Sequence, residues 1–181
     1  MRYNLIVAVC KNNGIGYKGQ MPWHIKADLK YFSELTKGDG NNAVIMGNAT
    51  WKGLPILKGK SKGLNDRDNF ILSTTDTFEL KLIQNRLLKT FKDIDEIEMF
   101  LTKNDIYEDI WVIGGASIYK QFLDMDKIEK CYITHIDKEF ECDTFFPVLD
   151  NTQWREIDRT EDYDIIYKCH VNYVVYEKYK L

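Results

Sequence analysis

Five short runs of apolar and β-branched residues constrain the fold of this chain more than any other feature of its sequence. The runs span residues 5–9, 43–46, 70–72, 110–113 and 131–134. Each run is too short for a buried helix and lacks the alternation of a half-exposed strand, which favours strands covered on both faces. Strands of this kind are typical of a mainly parallel sheet.

Stretches of helical periodicity lie between these runs. We predict helices over residues 25–36, in a short segment near residue 50, over 94–102 and over 116–123. Residues 171–176 alternate apolar with polar side chains and predict a half-exposed strand. The alternation of strands and helices predicts the α/β class: a single doubly wound, mostly parallel sheet of about eight strands, with flanking helices and an antiparallel C-terminal strand. The length suits one domain over residues 1–181.

Composition argues against several classes of function. The chain has 25 basic and 28 acidic residues, mixed along its length, so we expect no nucleic-acid partner and no membrane partner. No apolar run is long enough to span a bilayer, and the apolar start lacks the features of a signal peptide. Four scattered cysteines and three histidines give no zinc-binding spacing, so we expect no metal. These features predict a cytoplasmic, reduced protein.

A carboxylate interrupts the apolar face of the first predicted helix. Apolar residues recur with helical spacing at Ile25, Leu29, Phe32 and Leu35, and Asp28 lies on the same stripe. A carboxylate among apolar neighbours is costly unless something pairs with it, so one interpretation is a buried anion that binds a cationic or multi-donor ligand. The other is an acid in the first helical turn, stabilised by the helix dipole and still in contact with water.

Two strand–glycine–helix turns are candidate phosphate sites. Residues 111–119 read WVIGGASIY and residues 44–50 read VIMGNAT, so in each case glycine separates a strand from a helix. Free amides at the start of a helix favour a phosphate. Either turn alone is compatible with an ordinary connection, but the two together favour a dinucleotide that lies across the carboxyl edge of the sheet.

A third glycine motif is not predicted to be a phosphate site at a helix start. Residues 14–19 read GIGYKG, which matches the pattern of a dinucleotide fingerprint. Pro22 disfavours a helical conformation at the preceding residue, so we expect no helix to begin until after Trp23. A flexible loop that covers an active site is therefore the better interpretation.

A series of short motifs, in order and at compatible spacings, carries a resemblance over essentially the whole chain. They are 6–8 (IVA), 14–16 (GIG), 21–23 (MPW), Asp28 with Phe32, 44–47 (VIMG), Thr50 with Trp51, 67–69 (RDN), 113–115 (IGG), 134–136 (THI) and 143–147 (DTFFP). By these motifs the chain resembles the dihydrofolate reductase family. The resemblance implies hydride transfer from C4 of NADPH to C6 of dihydrofolate, with protonation at N5, which gives tetrahydrofolate for one-carbon metabolism and thymidylate synthesis.

The resemblance assigns catalytic residues. It implies that Asp28 accepts two hydrogen bonds from the pterin edge and that Thr134 orients Asp28. Trp23 would hold a water near the pterin carbonyl, and the loop that ends at Met21 would admit the water that protonates N5. Tyr119 completes this set.

The resemblance also assigns the remaining substrate contacts. Arg67 would pair with the glutamate carboxylate of the substrate, where a planar guanidinium suits better than an ammonium group. The alternative for Arg67 is an ordinary surface arginine. The predicted apolar walls are formed by Ile6, Val7, Leu29, Phe32, Leu54, Leu64 and Ile113.

The same resemblance implies an NADPH site. Ala8 and Ile15 would contact the nicotinamide carboxamide, and Thr50 with the amides around Gly47 would bind the pyrophosphate. The predicted cofactor contacts are Ala8, Ile15, Gly16, Gly47, Asn48, Ala49, Thr50, Ser73, Thr74, Lys89, Ile113, Gly114, Gly115, Ala116, Ser117, Ile118 and Tyr119. The family joins its two glycines by a cis peptide bond, which we expect between residues 114 and 115.

Two segments depart from the family pattern. The stretch between Leu54 and Leu64 is longer and more basic than usual, and the residues after the VIMG motif differ. Members usually carry a basic residue after the VIMG motif, whereas this chain has Asn48 and Ala49. We therefore expect a weaker preference for NADPH over NADH than is usual. The remaining candidates for the 2′-phosphate are Ser73, Thr74, Thr75 and Lys89.

Two other functions remain open at this point. One is a related reductase that acts on another pterin or on a pyrimidine precursor of riboflavin. The other is a folate-binding module without turnover. For the reductase, we expect dihydrofolate as the small-molecule partner and a monomer as a free domain, with fusion to or association with thymidylate synthase as an alternative.

Overall fold

A computed structural model describes residues 3–54, 63–76, 81–83 and 86–180. Its strands are β1 (Tyr3–Cys10), β2 (Gly14–Gly16), β3 (Ala43–Gly47), β4 (Asp68–Leu72), β5 (Lys81–Ile83), β6 (Arg86–Phe91), β7 (Ile110–Val112), β8 (Ile128–Ile136), β9 (Thr144–Phe145), β10 (Trp154–Asp164) and β11 (Cys169–Lys178). Its helices are α1 (Lys26–Lys37), α2 (Asn48–Gly53), α3 (Ile94–Lys103) and α4 (Ala116–Asp124).

In the part of the chain that is described, nine strands form one sheet in the order β10-β11-β8-β1-β7-β3-β4-β6-β5. The six central strands, from β8 to β6, are parallel to one another, and β5, β10 and β11 extend the edges by antiparallel pairing. The predicted doubly wound, mostly parallel sheet with an antiparallel C-terminal strand is confirmed. It has one strand more than the expected number.

Adjacent residues of the central strands pack into two separate cores, because successive strand side chains point to opposite faces. On one face, Leu5 and Ile45 pack with side chains of α3 and α4. On the other face, Ile6 and Val44 pack against side chains of α1 and α2. Both faces of the sheet are therefore covered by helices, which explains why these strands read as continuous apolar runs.

The helix starts follow local sequence rules. α1 begins only after Pro22, with the extended residue Ile25 as its N-cap. The α3 start is a capping box: Asp93 accepts a hydrogen bond from the amide of Glu96, and the carboxylate of Glu96 accepts one from the amide of Lys92. The three longer helices lie within one residue of the predicted bounds at each end.

Residues 14–19 do not lead into a helix. Gly14 and Gly16 of β2 pair with Phe145 and Thr144 of β9 in a separate two-stranded sheet. The chain then turns back at Tyr17, whose amide donates to the carbonyl of Gln20 across 2.8 Å. The motif therefore has no dinucleotide-fingerprint geometry, as the proline argument predicted, but it is a paired strand and a tight turn rather than an open loop.

In the described ranges, no helix is long and apolar enough to cross a membrane. Within the same ranges, no group of three or more His, Cys, Asp or Glu side chains is placed to hold a metal ion.

Candidate active site

Asp28 is buried in the first turn of α1, with 7% of its surface exposed. The hydroxyl of Thr134, on β8, donates a hydrogen bond to Oδ1 of Asp28 across 2.7 Å, and Thr134 itself is 1% exposed. Burial raises the pKa of Asp28, and the hydrogen bond from Thr134 partly opposes this rise. The interpretation of Asp28 as a first-turn acid in contact with water is therefore wrong, and the ligand that would pair with this buried carboxyl stays a prediction.

The predicted apolar walls lie mostly on one side of the sheet. Phe32, Leu54 and Leu64 are only partly buried and pack against the cluster that contains Ile6 and Ile113. Leu29, beside Asp28 on α1, is also partly exposed, so the helix face next to the carboxylate is open to a ligand.

Val7 is the exception among the predicted walls. Its side chain lies in the core that faces α3 and α4, on the face opposite to Ile6. This follows from strand geometry, because neighbouring residues of β1 point to opposite faces. The prediction of Val7 as a side-chain wall of the substrate site is corrected accordingly.

Arg67 is held inside the protein and is 4% exposed. Its Nη1 donates to the hydroxyl of Thr36 on α1, and its Nε donates to the carbonyl of Asn65, both across 2.6 Å. Burial lowers the pKa of Arg67, against the effect of the Asp66 charge. The alternative of an ordinary surface arginine is wrong. A guanidinium carries five N–H donors, so these two bonds leave donors for a carboxylate.

The two strand–glycine–helix turns meet at the carboxyl edge of the sheet. Gly47 donates its amide hydrogen to the carbonyl of Gly114 across 2.8 Å, so the starts of α2 and α4 are adjacent. The Gly114–Gly115 peptide bond is cis, as predicted. A Cβ added at Gly115 would lie 3.6 Å from the hydroxyl oxygen of Thr50, which places that hydroxyl beside the second glycine.

Tyr119, on α4, packs beneath the glycine turns and contacts β1. Its hydroxyl donates to the carbonyl of Ile6 across 2.8 Å, and its ring lies edge-on to Phe146 with the centroids 5.4 Å apart. Burial raises the pKa of Tyr119, so the phenol stays protonated and remains a donor. A Cβ added at Gly114 would approach the Tyr119 ring to 3.1 Å, so only glycine fits this contact without adjustment.

The residues assigned to the loop and to the nicotinamide lie around this edge. Ala8, near the end of β1, pairs in register with Thr134, and Ile15 lies in the middle of β2. Met21 is 47% exposed, whereas Trp23 is 4% exposed. Within the described residues, Nε1 of Trp23 has no hydrogen-bond partner. A buried indole N–H of this kind suits a water or a ligand acceptor.

The remaining predicted cofactor contacts lie at the helix starts and after β4. Ile118 packs in the core beside Gly47, while Ala116 and Ser117 form the first turn of α4 and are at least partly exposed. Ala49 is exposed in the first turn of α2. Ser73 and Thr74 follow β4, and the Ser73 hydroxyl oxygen accepts from the amides of residues 75 and 76.

Sequence reasoning missed an acidic neighbour of this region. The carboxylate of Asp76 accepts from Nδ2 of Asn48 across 2.6 Å and forms an ion pair with Lys52 at 2.9 Å. Both contacts lower the pKa of Asp76. The signal was available, because Asp76 directly follows the predicted Ser73-Thr74-Thr75 segment, but its partner on α2 could not be read from the sequence.

Sequence reasoning named Lys89 as a candidate for the 2′-phosphate but missed Lys92. The ammonium of Lys89 lies 5.1 Å from the ring centroid of Phe91, in a cation–π contact. The amide of Ser73 donates to the carbonyl of Phe91 across 2.9 Å. This bond places the exposed Lys92, the next residue along the chain, beside the Ser73 turn.

These elements define a class of protein. It is a doubly wound α/β protein with a mostly parallel sheet. Near the carboxyl edge of this sheet lie a buried carboxyl group with partly exposed apolar neighbours and two touching glycine turns at helix starts, a place where such folds bind dinucleotides.

Comparison with known proteins identifies the family. The family model described as "Dihydrofolate reductase" matches residues 2–178. The dihydrofolate reductase of Drosophila melanogaster is 40% identical over 166 residues, which cover 90% of this chain and 87% of the relative. That of Heliothis virescens is 36% identical over 165 residues, covering 89% and 87%. The chain therefore belongs to the dihydrofolate reductase family and is an enzyme of that family.

Proposed function

We propose that the protein reduces dihydrofolate to tetrahydrofolate with NADPH as the hydride donor. The observation that carries this proposal is the buried carboxylate of Asp28, hydrogen-bonded to Thr134 and flanked by the half-exposed Leu29 and Phe32. The pterin ring has a flat edge with an amino group and a ring nitrogen, which can donate two parallel hydrogen bonds. A carboxylate in an apolar cleft is the matching acceptor.

The glycine turns suit the cofactor. The predicted hydroxyls and amides of residues 47–50, with Ser73 and Thr74, would hold its phosphates. Its nicotinamide would lie against Ala8, Ile15, Gly114, Gly115 and Tyr119. The absence of a side chain at Gly115 lets a flat ring approach the backbone there. When bound, NADPH supplies a hydride from C4. The task of the protein is to align that carbon with C6 of the pterin and to exclude bulk water.

The proton for N5 needs a separate route. Asp28 binds the opposite edge of the pyrimidine ring, so in this proposal it does not deliver the proton directly. Met21 is exposed at the end of the turn that follows β2. Close by in sequence lies the indole N–H of Trp23, which has no partner among the residues that the structure describes. We assign to this segment the admission and holding of the water that protonates N5.

A direct assay tests the proposal. Protein, NADPH and dihydrofolate are mixed, and the loss of reduced-nicotinamide absorbance is followed. Turnover with dihydrofolate supports the proposal. Turnover only with a pyrimidine precursor of riboflavin, or with a pterin that lacks the benzoylglutamate tail, would instead support the alternative reductase. Tight folate binding without turnover would indicate a binding module.

Arg67→Leu should weaken dihydrofolate binding with little loss of turnover at saturation. A charge-assisted pair is worth about 1.5–3 kcal/mol, which corresponds to roughly ten- to hundredfold in KM. The contact lies far from the reacting carbon, so kcat should stay within about threefold. Steady-state kinetics with dihydrofolate, and with an analogue that lacks the glutamate, give the comparison.

The analogue provides the control for this variant, because Arg67 also bonds to Thr36 and Asn65 and has a structural role. The analogue should be nearly indifferent to the change. If both ligands weaken equally, Arg67 acts only through the packing of α1, and the assignment of the glutamate end is wrong.

Lys92→Ala should lower the preference for NADPH over NADH by roughly five- to thirtyfold, the effect of about 1–2 kcal/mol from one cation at the 2′-phosphate. Lys89→Ala is the matched control, since it removes the same charge from the same strand region. The ammonium of Lys89 lies over the Phe91 ring, whereas Lys92 follows Phe91, whose carbonyl accepts the amide hydrogen of Ser73, so we expect the control to change the ratio less. The preference is measured by titration with both cofactors. If Lys89→Ala lowers it as much as Lys92→Ala or more, Lys92 is not the distinct phosphate contact and Lys89 remains the candidate.

We further propose that the domain of residues 1–181 acts as a monomer in the cytoplasm. In support, the two insect relatives are named as dihydrofolate reductase alone and are matched over most of their length. The bifunctional dihydrofolate reductase-thymidylate synthase of Daucus carota is 33% identical over 83% of this chain, which spans 29% of that relative. Light scattering should give the monomer mass. A dimer, or a complex with added thymidylate synthase, would contradict it.

A further inference from the structure

Two cysteines that are far apart in sequence lie side by side next to β2. Cys10 is the last residue of β1, and Cys142 lies two residues before β9. Their Sγ atoms are 3.8 Å apart, although 132 residues separate them along the chain. A disulfide bond requires an S–S distance of about 2.05 Å, so a small side-chain movement on each side closes the gap.

The two cysteines differ in access to solvent, which gives each a different chemical role. Cys10 is 3% exposed, whereas Cys142 is half-buried at the surface. The other two cysteines, Cys131 and Cys169, are buried, and Cys131 packs in the core that faces α3 and α4. A solvent-borne oxidant therefore reaches Cys142 first, and Cys10 is its neighbouring thiol.

The two cysteines pack against β2, next to the turn that follows it. A Cβ added at Gly14 would lie 2.6 Å from Cβ of Cys142 and 3.1 Å from Sγ of Cys10, so the Gly14 backbone packs directly on both side chains. The residue next to Cys142, Asp143, donates its amide hydrogen to Gly16 and accepts the amide hydrogen of Lys18, both across 3.0 Å. Cys142 thus belongs to the segment that holds residues 14–18 in place.

We propose that Cys10 and Cys142 are a modification site, a reversible dithiol–disulfide pair whose oxidised form ties the end of β1 to the segment that holds residues 14–18. A hydroperoxide is the oxidant class. The Cys142 sulfur attacks the peroxide, the O–O bond breaks, and Cys142 becomes a sulfenic acid while water or an alcohol leaves. The Cys10 sulfur then attacks the sulfenic sulfur, the S–S bond forms, and a second water leaves.

The surroundings of Cys142 set the rate of this reaction. Burial, the contact with Cys10 and the charge of Asp143 raise the pKa of the Cys142 thiol to about 11, against a hydrogen bond from the backbone of Gly16. The thiolate is the reactive form, so oxidation is slow at neutral pH and accelerates as the pH rises towards that value.

Peptide mapping tests the linkage. The protein is treated with hydrogen peroxide at mildly alkaline pH, blocked, digested and analysed by mass spectrometry. We expect a pair of peptides linked through Cys10 and Cys142, and treatment with dithiothreitol should separate them. Cys10→Ser supplies a hydroxyl in place of the thiol that donates to Oδ1 of Asn12 across 2.6 Å, and should accumulate a trappable sulfenic acid at Cys142 instead. Cys142→Ser is the second variant and should give no linked pair. Oxidation of unmodified protein that leaves Cys142 unlinked, or linked to Cys131 or Cys169, would overturn the proposal.

Hydrogen exchange tests the effect on the turn without using catalysis. In the oxidised protein, the amides of residues 16–18 and of Asp143 should exchange at least about tenfold more slowly than in the reduced protein, because local opening is restricted. Cys10→Ser treated in the same way is the control and should show no such change. Unchanged exchange in the disulfide form would overturn the proposed tie.

Turnover provides a further readout, and this one rests on the proposed function. If motion of residues 14–21 accompanies turnover, the oxidised protein should reduce dihydrofolate about fivefold more slowly, and dithiothreitol should restore the rate. Unchanged turnover would overturn the inference that the tie slows the reaction. A reduced protein without any reductase turnover would refute the proposed function, while peptide mapping and hydrogen exchange would still decide the cysteine pair.

Discussion

Asp28→Asn should lower turnover with dihydrofolate by at least about a hundredfold at neutral pH. Asparagine keeps the shape and can still accept the hydrogen bond of Thr134 through its carbonyl oxygen. It presents an amide donor to a pterin donor, however, so a buried group stays unpaired at a cost of roughly 1–3 kcal/mol, and more when a charge is involved. Steady-state kinetics with purified protein measure the loss. A variant within threefold of the parent would show that Asp28 has no part in the reaction.

The same substitution should stabilise the protein at neutral pH, by about 1–2 kcal/mol. Burial raises the pKa of Asp28 above its value in the unfolded chain, so the folded state binds the proton more tightly. The stability contribution of this carboxyl is therefore full below the unfolded pKa and is lost as the pH rises through the folded pKa. Asparagine shows no such loss, so urea denaturation should find the largest gain at neutral pH and a smaller one in acid. A variant less stable than the parent at neutral pH would contradict the buried-charge assignment.

Gly114→Ala should lower the free energy of unfolding by about 2–4 kcal/mol. Gly114 has a φ of 116°, which L side chains rarely adopt, and an added Cβ would lie 3.1 Å from the ring and the hydroxyl oxygen of Tyr119. Movement of Tyr119 would also weaken its hydrogen bond to Ile6. For a protein of this size the melting temperature should fall by roughly 5–15 °C, which calorimetry or circular dichroism can measure.

Gly53→Ala is the matched control for this prediction. Gly53 lies at the end of α2, where an added Cβ would make only an ordinary contact of 3.5 Å with the carbonyl of Gly19. Alanine also has the higher helix propensity, so the control should match or slightly exceed the parent in stability. Equal destabilisation by both substitutions would mean that the Gly114 contact with Tyr119 carries no special cost.

The sequence sufficed for the features that depend on local pattern. The central strands read as continuous apolar runs because both faces are covered, and the helices between them were predicted almost to the residue. The sequence also predicted that both glycine turns lie at the carboxyl edge of the sheet, but the bond between Gly47 and Gly114 depends on β3 and β7 being neighbours, which the sequence did not show. Asp28 stood out because helix periodicity places it on a stripe that is otherwise apolar.

Features that depend on long-range pairing could not be predicted. The pairing of β2 with β9 joins segments more than a hundred residues apart, and the glycines of β2 show no strand periodicity. The preference for Lys92 over Lys89 depends on the contact of Lys89 with the Phe91 ring and on the backbone bond from Ser73 to Phe91, the residue before Lys92. The Asp76 contact with Asn48, like the sulfur contact of Cys10 with Cys142, exists only once the chain has folded.

In the proposed function, helix α1 sets a length scale for the ligand. Its first turn carries Asp28, and its last turn carries Thr36, which holds Arg67. Eight residues at 1.5 Å each separate these two positions by about 12 Å along one rigid axis. A single-residue insertion between them would shift one end by about 1.5 Å and rotate it by about 100° around the helix. The positions of Asp28 and of the Thr36–Arg67 pair therefore cannot change independently within α1. A longer or shorter ligand would require changes in the segments outside this helix.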